Sequence, residues 1–120
     1  MDIELHSAIK KAKNTQKNLV RATNRAYDYR ELVELRGELQ ADLLLVSKAI
    51  LNDPILKEDP TKQSSFSKRH HEAQNALSQH QARWSFVDIE NDWQSYQQAT
   101  SDLRRAQDDY FSWAMLECIR

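Results

Sequence analysis

The sequence predicts an all-α fold, an antiparallel helical bundle of four segments, and three observations predict it. Apolar residues recur three, four or seven positions apart almost from end to end, as one face of a helix requires. That repeat changes phase twice, near Asp28 and near Asp88, so it describes consecutive helices rather than one. The 120 residues include one glycine and two prolines, too few for the hairpin turns of a sheet protein of this size.

The same repeat admits a second architecture. This is a long helical hairpin, a coiled coil whose arms of about 50 residues kink at the phase changes and dimerise through the leftover face. A compact bundle of this length implies a radius of gyration of about 14 Å, whereas the hairpin implies a length of roughly 70 Å.

The first segment, residues 3–26, places Leu5, Ile9, Ala12, Leu19, Thr23 and Ala26 on one face. Asp28 and Glu31 then have the spacing of a capping box, and the phase changes at the same point. The second segment, 29–51, carries the strongest stripe: Leu32, Leu35, Leu39, Leu43, Val46 and Ile50. Gly37 lies inside it at a cost of about 1 kcal/mol relative to alanine, which a close helix contact or a local bend would explain.

A loop is expected over 52–63, because Pro54 and Pro60 each bias the preceding residue away from the helical region. Ile55 and Leu56 would fold back there to plug the end of the bundle, and Ser64 or Ser65 would cap the next helix. The third segment, 64–86, uses Phe66, His70, Ala73, Leu77, His80 and Trp84, with Val87 continuing the face. The fourth, 89–118, uses Ile89, Trp93, Tyr96, Thr100, Leu103, Ala106, Tyr110 and Trp113, capped by Asp88 or Ser85. All four segments read as a single helical domain over 1–120.

The composition excludes several function classes. Net charge is -1, from 17 basic and 18 acidic residues, so the chain as a whole is neither a basic nucleic-acid binder nor an acidic mimic. The charge alternates in sign from segment to segment, which favours attraction between antiparallel neighbours. Cys118 stands alone, leaving no intrachain disulfide. The opening Met1-Asp2-Ile3-Glu4 is acidic where a secretory signal is basic, and the longest apolar run, Leu43 to Val46, is far too short for a bilayer. A cytoplasmic location with no membrane partner is the expectation.

No catalytic residues, no cofactor and no metal site are expected. His70 and His71 point in different directions, and Glu72 follows them rather than supplying the Glu-x-x-His of di-iron bundles. The zinc signature His-Glu-x-x-His is absent as well, and one glycine cannot make a phosphate loop. His70 and His80 read as polar members of the core face. A small metal-binding helical-bundle enzyme is the alternative these histidines leave.

Two surfaces invite a partner. Lys10, Lys13, Lys17, Arg21 and Arg25 form a basic stripe at helical spacing, with Lys11 beside it. Such a ridge suits a phosphate backbone or an acidic protein surface, or is a solvated face flanking Asp102, Asp108 and Asp109. Tyr110, Phe111 and Trp113 are too close in sequence to share one narrow core face, so at least one is expected to be exposed as a protein interface.

In the hairpin architecture Asp53, Glu58 and Asp59 would sit at the tip, an arrangement that resembles in general shape the coiled-coil fingers of transcript-cleavage factors, which place acidic tips in RNA polymerase. The expectation drawn from the whole is a non-enzymatic protein–protein interaction module: an adaptor, an inhibitor or an immunity-type binding protein. Its partner would be another protein or a second copy of itself, as a homodimer, with nucleic acid on the basic helix as the alternative.

Overall fold

Five helix starts are marked by a side chain that accepts from the first free backbone N–H groups. Asp28 accepts from Glu31 N, Asp53 from Ile55 N and Leu56 N, Asp59 from Lys62 N, Ser85 from Asp88 N and Asp92 from Ser95 N. In the computed structural model, which describes residues 3–119, these caps divide the chain into six helices. They are α1 (Ile3–Thr23), α2 (Tyr29–Asn52), α3 (Pro54–Lys57), α4 (Pro60–Arg83), α5 (Phe86–Asn91) and α6 (Trp93–Ile119). No strand occurs among the described residues.

The four long helices close a ring. α1 packs against α2 and α6, α2 against α4, and α4 against α6, while α3 and α5 cover the connections. Leu5, Ile9, Leu19, Leu39, Leu43, Phe66, Leu77, Tyr96 and Phe111 fill the centre. The molecule measures 49 × 20 × 19 Å, with a radius of gyration of 15.1 Å. The extended hairpin is therefore not the architecture, and its acidic tip does not exist. Asp53 and Asp59 instead cap α3 and α4.

Several boundaries differ from the sequence reading. The first helix ends at Thr23 rather than 26 and leaves Ala26 exposed. Thr23 Oγ1 donates to the Val20 carbonyl, and Gln97 Nε2 donates to the Thr23 carbonyl at 2.6 Å, so the helix end is already satisfied there. The expected loop 52–63 is mostly helical. Asp53-Pro54 and Asp59-Pro60 each supply a cap followed by proline at the first helical position, where its missing N–H carries no penalty. Neither Ser64 nor Ser65 is the cap.

Leu56 does plug the end of the bundle, but Ile55 faces solvent. The second phase change resolves into two breaks, at Trp84-Ser85 and at Asp92, which turn Val87 outward and bury Ile89. Ser85 caps α5; Asp88 lies in its first turn.

Gly37 meets neither of the explanations its position suggested. It lies on the exposed side of α2 with ordinary negative φ, and a Cβ built on it would touch nothing within 4 Å. Gly37→Ala is therefore expected to stabilise the chain by about 0.5–1 kcal/mol. A urea melt measures this, and a loss of stability would show that the helix needs glycine there.

Candidate functional site

Polar side chains tie the helices together before any surface is considered. Asp42 of α2 is buried and points at α1, accepting from Lys11 Nζ at 2.7 Å and from Thr15 Oγ1 at 2.6 Å. That carboxylate holds the Lys11 ammonium above its ordinary pKa. Lys11 thus belongs to the α1–α2 contact and not to a free basic ridge. Asp42→Ala is expected to lower stability by about 2 kcal/mol, because the buried Thr15 hydroxyl loses its acceptor. A change in the urea midpoint reads this directly; no change would mean that solvent serves Thr15 equally well. Deeper in, Gln16 of α1 donates to Gln107 of α6, which donates to the Ala73 carbonyl of α4 at 3.2 Å.

The two core histidines are both built in neutral. His70 bridges the Leu43 carbonyl through Nε2 and the Tyr110 hydroxyl through Nδ1, each at 2.7 Å. A carbonyl can only accept, so Nε2 carries the proton and Nδ1 accepts from Tyr110. Burial pushes the His70 pKa down. His80 stacks on Tyr96 and meets Thr100 Oγ1 at 3.3 Å. Burial, and then the nearby Arg36 guanidinium, lower its pKa to about 4. Among the described residues, no three His, Cys, Asp or Glu side chains gather as metal ligands would.

Arg36 is the least conventional core residue. It is buried, donates through Nη2 to the Gln81 carbonyl at 2.9 Å, and lies 4.7 Å over the Phe86 ring. Among the described residues its Nη1 has no hydrogen-bond partner, and neither has the indole Nε1 of Trp84. Burial pulls the Arg36 pKa down. Burial likewise pushes the Cys118 thiol up, which disfavours the reactive thiolate.

The aromatic group read from sequence is not an open edge. Tyr110 and Phe111 are buried, and Trp113 is half-buried between the Phe66 ring at 4.8 Å and the Arg69 guanidinium at 4.4 Å. The reason is geometric. Because α6 packs against both α1 and α4, it buries two adjoining faces, which accommodates neighbouring aromatics that a single narrow stripe would not.

The basic stripe is exposed but divided. Lys10, Lys13 and Lys17 line a groove of about 820 Å³ between α1 and α6, shared with Arg104 and Asp108. Arg104 and Asp108 pair with each other at 3.3 Å. Arg21 and Arg25 turn instead toward Glu31 and Glu34 of α2, and Arg25 pairs with Glu31. Among the described residues no aromatic side chain lines either groove.

A surface that sequence reasoning missed is the outward side of α2. Among the described residues, six of the ten large apolar side chains that face solvent lie on α2 and α3: Tyr29, Val33, Leu44, Leu45, Leu51 and Ile55. Leu44 and Leu45 are each 51% exposed and Leu51 is 58% exposed. The inward side of the same helix already supplies Leu32, Leu39, Leu43, Val46 and Ile50 to the core. The signal was present in the run Leu43-Leu44-Leu45-Val46, since four consecutive apolar residues cannot all face one side of a helix.

No family model matches this sequence, and comparison with curated proteins and with solved structures finds no similar chain. No helix among the described residues is long and apolar enough to cross a membrane.

Proposed function

We propose that this protein acts by binding another protein chain through the outward face of α2, and that it carries out no chemistry of its own. The observation that carries the reading is the concentration of exposed leucine on that face, with Ile55 of α3 extending it beyond Leu51. A helix that is apolar on both sides is ordinarily buried on both sides. Contiguous apolar surface rimmed by charge is what protein interfaces present. The reading moves the interface from Tyr110, Phe111 and Trp113, whose rings the core uses, to α2. Adaptor, inhibitor and immunity-type roles all require such a face.

The test is a photo-reactive residue placed at position 45 or 51, compared with position 79 on the polar exposed side of α4, in cells that make the protein. Protein adducts are expected at 45 and 51 and not at 79. Equal labelling at all three, or none, would overturn the reading. Nucleic-acid binding by α1 has weaker support. Of the five stripe residues Lys10, Lys13 and Lys17 share the α1–α6 groove, beside Lys11, which Asp42 holds, and Arg104, which Asp108 holds, and no stacking aromatic accompanies them among the described residues.

A further inference from the structure

Three buried side-chain atoms lack a hydrogen-bond partner among the described residues: Arg36 Nη1, Trp84 Nε1 and the Tyr96 hydroxyl. They are the only such atoms there, and they fall in one cluster. The Trp84 and Tyr96 rings meet edge-on at 5.6 Å, and Tyr96 stacks on His80. Arg36 reaches the same place. After burial, its charge is what lowers the His80 pKa, and it opposes the rise that burial gives the Tyr96 phenol. The Tyr96 hydroxyl leans toward Thr100 without reaching hydrogen-bond geometry. Arg36 comes from α2, Trp84 from the residue that closes α4, and Tyr96 from α6, so the tertiary fold assembles the group.

We propose that Arg36, Trp84 and Tyr96 hold a small monovalent anion, of which chloride is the type, inside the bundle. The donor set calls for an acceptor. A guanidinium N–H and an indole N–H only donate, and a phenol hydroxyl donates equally well. Charge decides between an ion and a water. Arg36 makes no ion pair among the described residues, and a guanidinium does not give up its proton. A water would accept these hydrogen bonds but leave the buried charge unmatched, and buried charges are costly unless paired.

Charge and enclosure also select which anion. One guanidinium among neutral donors matches a single negative charge, and a divalent ion would bury an excess of its own. Arg36 and Trp84 are each 8% exposed and Tyr96 is fully buried. Neither groove along α1 reaches them. A ligand that touches all three is therefore an ion of one or a few atoms, walled by the rings of Trp84, Phe86 and Tyr96.

Thermal melts of the full chain test the proposal, with sodium chloride replacing sodium gluconate at constant ionic strength. Gluconate is too large to enter. The melting temperature is expected to rise saturably, by about 5 °C at about ten times the dissociation constant. Arg36→Met removes the charge and is expected to abolish the rise. Trp84→Phe keeps a ring and loses only the N–H, and is expected to weaken chloride about tenfold. Circular dichroism checks that both variants fold. The chlorine nuclear magnetic resonance line gives a readout that needs no unfolding. It is expected to broaden with the natural chain and less with Trp84→Phe. No chloride-dependent rise and no broadening would mean that water alone serves Arg36, and would overturn the proposal. So would a rise that Arg36→Met retains, which is a surface salt effect, or an unaltered chloride affinity in Trp84→Phe. If Arg36→Met does not fold, Trp84→Phe and the natural chain's linewidth decide the matter between them.

Discussion

Phe66→Ala is expected to lower the unfolding free energy by about 3–5 kcal/mol and the melting temperature by roughly 15 °C. Phe66 is fully buried on α4, and its ring meets Trp113 of α6 at 4.8 Å. Removing it deletes apolar area and leaves a cavity that two rigid helices close only in part. The change is a large share of the 5–15 kcal/mol that holds a domain of this size together. It has a second consequence at Trp113, which would keep Arg69 and Tyr110 but lose the Phe66 ring, so its indole fluorescence should shift to the red in the folded state. A loss below about 1 kcal/mol, or an unshifted tryptophan emission, would show that Phe66 is not the inner wall of the Trp113 site.

Acidification from the ordinary histidine pKa of 6.5 to about 4 is expected to remove roughly 2 kcal/mol through His80, with His70 acting in the same direction. Both groups are neutral in the folded chain and have depressed pKa values. In this interval the unfolded chain therefore binds more protons than the folded one. Stability is fully present above pH 6.5 and is lost as pH falls through the folded values, with no further loss from His80 below about pH 4. Protonating His80 would add a cation beside Arg36, and protonating His70 would deprive the Tyr110 hydroxyl of its acceptor. Urea melts across this range measure the slope. His80→Gln should flatten it, and an unchanged slope in that variant would assign the acid sensitivity elsewhere.

Much of the architecture was legible because apolar spacing records which side of a helix is buried. The stripes Leu5-Ile9-Ala12-Leu19 and Leu32-Leu39-Leu43-Val46-Ile50 lie in the core as read. The connections were harder. Proline was read as a breaker at 54 and 60, yet directly after aspartate it starts a helix, because the carboxylate accepts the N–H groups that follow. The surfaces were harder still. A wheel drawn for one helix does not say how many neighbours that helix has. Two neighbours for α6 buried Tyr110 and Phe111, and the solvent side of α2 kept leucines that lie off its core stripe and that the stripe alone gives no reason to notice. The histidines were legible as core members, but their partners come from helices distant in sequence. Leu43 is 27 residues from His70, and Tyr110 is 40 residues from it.

The Gln16–Gln107–Ala73 chain bears on uniqueness more than on strength. Helices packed only through leucine and alanine can slide past one another by a turn, about 5.4 Å, and still find apolar neighbours. Here such a slip of α6 would carry Gln107 away from both Gln16 and the Ala73 carbonyl and leave amide groups dry and unbonded. A slip of α1 along α2 would do the same to Asp42 and Thr15. The bundle is thereby pinned along its long axis at two places. Any surface displayed on α2 is held in one fixed alignment relative to the helices that support it.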